Sequence, residues 1–301
     1  MRARDDIELL VLSVLWGGAH LFTRAAVPAF GPLPLVALRL GIGTLMLLPL
    51  LASRGQLPLL AAYPRTLCIV GVAFTALPFT MLGWGALHIS AGLSAVFTAT
   101  APMFAALIGC AFMGERLGAW RGGGLLLGFA GVLWLMHGGP VSLRHGAGAG
   151  AVAVAAVLGA ALLWSLGATF TRRRLGHVDA LVTTTGSLGL AALFLAPLAW
   201  ATWPAQTPSA RAWAEMAFLG IGSSGLGMLM YFRLLRRIGA VRAMSVTFLS
   251  PLMAMVAGAL YLDEALTRSM VAGCVVVLLG TALSLGLLGP PSRPAAARAD
   301  G

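Results

Sequence analysis

Two ionisable side chains, His20 and Arg39, stand well inside long apolar stretches of this 301-residue chain. An ionisable group at membrane depth is costly and points to function. Histidine changes charge near neutral pH and can relay a proton; the alternative for His20 is a neutral imidazole hydrogen-bonded between helices. Arg39 keeps its charge and can hold a carboxylate through paired hydrogen bonds. It can equally brace a bundle or extend to an interface. Carboxylates are missing from the same depth. The nine acidic residues are Asp5, Asp6, Glu8, Glu115, Asp179, Glu215, Asp263, Glu264 and Asp300, and none falls mid-stretch. Ion-coupled pumps usually keep a carboxylate there, so protons as a partner are left to His20, to an acid at a helix end, or drop out.

Aromatic residues come next. Trp16 and Trp164 lie at mid-depth, whereas tryptophan prefers the interface. Their indole N–H groups need a polar partner or a wet cavity, so the pair reads as two walls of one cavity or as large core fillers. Trp84, Trp134, Trp200, Trp203 and Trp213 fall near the ends of apolar stretches and read as interfacial belt residues. Pro78 and Gly225 interrupt the third and eighth stretches, and interrupted helices at matching places mark transporter binding sites. Thr98 and Phe170 complete the expected substrate-binding set of Trp16, His20, Arg39, Pro78, Thr98, Trp164, Phe170 and Gly225. Thr75, Thr80, Ser223, Ser224, Thr247 and Ser250 are further polar candidates, each equally suited to an interhelical hydrogen bond. Glu115 and Glu264 each open a helix after a short loop, where a carboxylate suits the positive end of the helix dipole. Gly124 and Gly128 form a G-x-x-x-G for close packing or a dimer face.

The elements that position these groups follow from composition. The chain is 59% hydrophobic and 10% charged with a mean hydropathy of +0.93, far from the roughly 25% charge of soluble domains. Ten stretches are long enough to cross a ~30 Å hydrocarbon core: about 7–27, 33–52, 66–87, 91–113, 120–137, 148–170, 180–200, 211–232, 239–261 and 269–289. The net charge of +11 is carried wholly by arginine and lies between these stretches, which excludes a nucleic-acid face and sets membrane orientation instead. With the N-terminus cytoplasmic, fifteen arginines fall inside and four, Arg24, Arg144, Arg211 and Arg268, fall outside. Both termini are then cytoplasmic. Cys68, Cys110 and Cys274 lie in apolar stretches without metal or disulfide spacing, and no nucleotide loop is present, so no cofactor is expected.

The chain carries one plan twice. W-G-G-A-H-L-F-T-R at Trp16–Arg24 returns as W-S-L-G-A-T-F-T-R at Trp164–Arg172, and Ile89, Ala91, Pro102, Gly109, Glu115, Leu117, Gly124 and Gly131 return 149 residues later. Five helices per copy is an odd number, so the second copy enters the membrane from the opposite side. The expected organisation is a five-helix unit over 1–140, a second over 141–289, and a disordered cytoplasmic tail over 290–301.

These residues resemble EamA-type proteins of the drug/metabolite transporter superfamily. The likeness rests on the L-W-G…F-T-R opening, the A-x-R-L at Ala37–Leu40, and the blocks Pro102…Gly114-Glu115-Arg116-Leu117 and Pro251…Asp263-Glu264-Ala265-Leu266. Relatives often carry Ser or Asn where His20 stands. The resemblance implies an all-α fold of two inverted five-helix repeats in the bacterial inner membrane, and export of small metabolites, often amino acids or drug-like molecules. A multidrug or toxic-compound efflux protein is the alternative within transport. An intramembrane lipid-modifying enzyme would need a nucleophile, base or metal cluster that the sequence does not group. The partners expected are a small-molecule substrate and membrane lipid, with no nucleic acid; monomer is the default state and a dimer the alternative.

Overall fold

The computed structural model describes residues 3–113, 118–137, 147–243 and 246–288. The expectations for Glu115, Arg144 and the tail from Pro290 lie outside these residues. Among the described residues the chain is all-helical, with ten long segments, seven of them long and apolar enough to cross a membrane. They are α1 (Ala3–Phe30), α2 (Pro32–Ser53), α3 (Pro64–Gly85), α4 (Ala91–Thr98 continued by Ala101–Met113), α5 (Ala119–His137), α6 (Ala147–Leu175), α7 (Ala180–Ala201), α8 (Ala210–Ala243), α9 (Val246–Leu262) and α10 (Arg268–Ser284). A short helix, Leu57–Ala62, joins α2 to α3.

Local chemistry sets most of the breaks. Gly31 at φ +77° turns the chain between α1 and α2, and Pro32 starts the next helix because it lacks an N–H that the first turn would leave unpaired. Ser90, Asp179, Ser209 and Thr267 cap α4, α7, α8 and α10 by accepting from Leu93, Leu181, Ala212 and Met270 N–H. The interrupted third and eighth helices contain π-helical turns, at Val72–Ala76 in α3 and Phe218–Leu226 in α8. Their wider winding frees the backbone locally, and Thr75 Oγ1 answers by donating to Val70 O at 3.0 Å. One boundary differs from the sequence reading. The eighth helix runs on to Ala243 and the ninth starts at Val246, because R-L-L-R-R at 233–237 continues α8 beyond the apolar stretch with Arg233 and Arg237 exposed. Pro251 sits inside an unbroken α9.

The packing maps onto itself when one repeat is exchanged for the other. Helix α1 lies on α9 and α8, as α6 lies on α4 and α3; α2 lies on α8, as α7 lies on α3; α2–α7 and α5–α10 pair across the axis. Small residues allow these approaches, since in lipid the contact itself drives association. A Cβ on Gly17 would lie 2.8 Å from Ser250 O on α9, and one on Gly131 would lie 2.9 Å from Val277 on α10. Gly124 and Gly128 face Leu283, Ser284 and Gly280 of α10. The G-x-x-x-G is therefore consumed by internal packing.

Because successive helices alternate in direction, the bundle has a near end, holding the start of α1, and a far end. Ion pairs gather at both. Arg237 reaches Asp5 and Glu8 at the near end, and Arg24–Glu264 and Arg211–Glu215 lie at the far end. All five expected belt tryptophans lie at the far end, and Trp200 is 84% exposed. The three cysteines are free.

Candidate functional site

Arg39 projects from the first half of α2 and is 5% exposed, so it does not reach the interface. Its Nε donates to Ser224 Oγ and its Nη2 to Ser223 Oγ, both at 3.0 Å. Phe79, on α3, lies beneath the guanidinium with the ring centroid 4.5 Å from Cζ, within cation–π range. The two serines are adjacent in sequence. They lie in the π-helical turn of α8, where consecutive side chains are less divergent than on an α-helix, so both meet one edge of the guanidinium. The Nη1–Nη2 fork, the edge that matches a carboxylate, is left uncommitted by these contacts. Among the described residues no carboxylate pairs with Arg39.

The second repeat has no matching cation. Gly220 packs beside Arg39 O, and its counterpart Gly71 packs beside Ser187 O, which identifies Ser187 as the equivalent of Arg39. A monovalent positive site thus sits on one side of a pseudo-symmetric seam.

His20 lies one turn of α1 beyond Trp16 toward the far end. Its Nδ1 is 3.2 Å from Ser94 Oγ and its Nε2 is 3.4 Å from Thr98 Oγ1. Ser94 and Thr98 are four apart on α4 and share a face. Thr98 gives its hydroxyl proton to Ala95 O at 2.9 Å, which leaves Thr98 Oγ1 to accept from Nε2–H and Nδ1 to accept from Ser94. The arrangement suits a neutral imidazole linking α1 to α4. Of the expected set, the structure thus brings His20 and Thr98 together, and it sets Arg39 against α3 and α8.

The others lie apart. Trp16 stacks on Tyr231 at 5.2 Å and seats its indole nitrogen against Gly227, whereas Trp164 meets Phe79 edge-on at 5.3 Å. They occupy two equivalent seams, α1–α8 and α6–α3. Pro78 opens the α-helical half of α3 and places Phe79 next to Arg39. Phe170 packs on Phe74 at 5.7 Å in a cluster with Leu67, Val70 and Leu175 near the near end. Gly225 is the seat of Met46, whose Sδ rests directly on it.

Glu264 does not cap its own helix, because Thr267 does. Its two oxygens accept from Ala91 N at 3.2 and 3.0 Å, so the carboxylate stands at the N-terminus of α4 in the other repeat, where the helix dipole favours it. Arg24 lies 3.8 Å away and donates to Ala86 O at 2.6 Å. A second tie adjoins it. Glu215, 5% exposed, accepts from Arg211 at 3.2 Å and from Tyr261 Oη at 3.1 Å. Phe22 then packs on Phe218 and Tyr261 at 4.5 and 5.6 Å. Contacts that cross between repeats thus gather at the far end.

Sequence reasoning missed Ser94, Phe79 and the partner of Glu264. The spacing of Ser94 and Thr98 was a usable signal; the other two required tertiary contacts.

Comparison with known proteins agrees with this architecture. A model of the EamA-like transporter family matches residues 6–137 and again 151–286. An uncharacterized transporter of Bacillus subtilis (strain 168), YvbV, is 27% identical over 283 residues, covering 92% of this chain and 90% of the relative. A probable terminal-alkyne amino-acid exporter of Streptantibioticus cattleyicolor is 25% identical, covering 88% of each chain. A solved crystal structure superposes with a TM-score of 0.68 at 20% identity, over 95% of this chain and 98% of that one, a likeness of fold. With two inverted five-helix repeats and two matches to the same family, this multi-pass membrane protein belongs to the EamA-like transporter family.

Proposed function

We propose that the protein is a secondary transporter of the inner membrane that exports small carboxylate-bearing metabolites, amino acids among them, by alternating access. The observation that carries this reading is Arg39: a buried monocation on the inter-repeat seam, held along one edge by Ser223 and Ser224, with its fork uncommitted and no carboxylate partner among the described residues. Burying a charge unpaired is expensive, and a substrate carboxylate supplies the missing counter-ion. The probable amino-acid exporter among the relatives supports the same class. The arginine bias supports a cytoplasmic near end and cytoplasmic termini. The tied far end then faces outward, and the two repeats, taken as units over 1–140 and 141–289, rock about the α2–α7 and α5–α10 contacts.

The test is flux through proteoliposomes with a panel of L-amino acids, terminal-alkyne amino acids, their decarboxylated amine analogues and cationic dyes, at two pH gradients. The expected result is transport of carboxylates and not of the amines. Arg39→Gln removes charge-assisted hydrogen bonds worth about 1.5–3 kcal/mol and is expected to cut carboxylate flux roughly 10- to 100-fold. Equal flux of amines and dyes, unaffected by Arg39→Gln, would replace this reading with multidrug efflux.

A further inference from the structure

At the near end, between α2 of the first repeat and α7 and α8 of the second, lies a pocket separate from the Arg39 cluster. Its lining has two layers. Leu47, Leu181, Met228 and Leu229 form an apolar floor with the Thr184 hydroxyl, and Arg54, Arg233 and Asp179 form the rim. Asp179 is engaged in structure, accepting from Leu181 N at 2.9 Å and Gln56 Nε2 at 3.2 Å, so the rim presents two guanidiniums from opposite repeats and one anchored carboxylate.

The pocket is aligned with the midplane site. Leu47 follows Arg39 by eight residues and Arg54 by fifteen, about 12 and 22 Å along the helix axis. Steps of seven or eight residues keep all three on one side of α2. Ser223 and Ser224 likewise precede Met228 and Arg233 on α8. Between the two levels stands Met46, lying across the seam on Gly225. Pocket and Arg39 are thus consecutive stations on one seam, parted by a flexible thioether side chain.

We propose that this pocket is a cytoplasmic capture site that takes the carboxylate of a small amphipathic substrate on Arg54 and Arg233, seats its apolar part on the leucine–methionine floor, and passes it past Met46 to Arg39. The assignment rests on the proposed function for its substrate class. An anionic lipid headgroup with its acyl stem offers the same chemistry to a basic pocket on this side of the membrane, and the experiment separates the two sources.

The probe is radiolabelled L-norleucine entering proteoliposomes whose near end faces the bath, in vesicles of phosphatidylcholine alone and of phosphatidylcholine with phosphatidylglycerol. In both lipids the double variant Arg54→Gln/Arg233→Gln is expected to raise KM about fivefold or more, the scale of one or two exposed charge contacts, with kcat unchanged. Raising ionic strength shortens the Debye length from ~30 Å at 0.01 M to ~8 Å at 0.15 M, so the parent's KM should climb with salt and the variant's should not. Arg54→Lys/Arg233→Lys should restore a KM near the parent's, separating lost charge from misfolding. An unchanged KM in the Gln variant overturns the proposal. A KM change confined to phosphatidylglycerol vesicles also overturns it and assigns the pocket to lipid. Parent-like transport by Arg39→Gln would instead sink the reading of the midplane site, while the KM of the rim variants continues to report on capture.

Discussion

Glu264 offers a quantitative test of the far-end closure. Its carboxylate is 10% exposed, accepts from Ala91 N through both oxygens, and lies 3.8 Å from Arg24. Glu264→Gln keeps an acceptor for Ala91 N–H and loses the charge. The hydrogen bond then falls from the charged class, about 1.5–3 kcal/mol, to the neutral class, about 0.5–1.5. The helix-dipole contribution of about 0.3–1 kcal/mol goes with it. The closed state loses roughly 1.5–2 kcal/mol, or about 10- to 30-fold in the closed-to-open ratio. Glu264→Ala loses the contact outright, about 3 kcal/mol, on the order of 100-fold. The assay is labelling of Thr23→Cys by a membrane-impermeant maleimide, in a background where Cys68, Cys110 and Cys274 are serine. Thr23 adjoins Arg24 on α1 and is 3% exposed, so its labelling rate reads the population in which this end opens. The rate should rise in the order parent, Gln, Ala by about the factors given. A change below twofold in both variants, with membrane insertion intact, would refute the claim that this carboxylate holds the far end shut.

The remaining predictions concern the site and the bundle. His20→Gln preserves hydrogen bonds to Ser94 and Thr98, and because those contacts suit a neutral imidazole it should leave the pH profile of transport like the parent's with flux measurable. A flattened profile would show proton coupling through His20 and overturn the neutral-linker assignment. Trp164→Ala removes the edge contact that backs Phe79 under Arg39, and Trp16→Ala empties the equivalent α1–α8 seam. Both should lower flux with membrane insertion intact, and unchanged flux would detach them from the site. Gly280→Ala would place a Cβ 2.8 Å from Gly124 O, overpacking the α5–α10 pair by about 1–3 kcal/mol. A thermal inactivation midpoint equal to the parent's would contradict that packing.

The repeat, the helix count and the odd-number inversion were legible because hydropathy and the duplicated motifs are one-dimensional signals. The α8–α9 boundary was not. An amphipathic arginine-rich turn that continues a helix beyond the apolar stretch looks, to a hydropathy reading, like the end of that helix. Glu264 was read as serving the nearest helix in sequence, whereas a carboxylate at a helix N-terminus needs only proximity in space, and α4 of the other repeat provides it. Arg39 was visible as a buried charge. Its orientation was not, since that depends on a π-turn presenting Ser223 and Ser224 side by side. Trp16 and Trp164 showed the symmetry, and the structure seats each in its own seam, α1–α8 and α6–α3.

The mismatch of Arg39 with Ser187 bears on why the two halves share one chain. Had the bundle been assembled from two identical five-helix subunits in opposite orientations, each change at the seam would have appeared twice. Two guanidiniums would then face each other across the axis, each repelling its twin and each demanding its own anion. Joining the copies end to end fixes their antiparallel relation covalently and releases them from identity. One half is free to keep the charge while the other keeps a small hydroxyl. For the carboxylate substrate proposed above, one guanidinium per chain corresponds to one anion per cycle, a stoichiometry that follows from the two halves differing at this position.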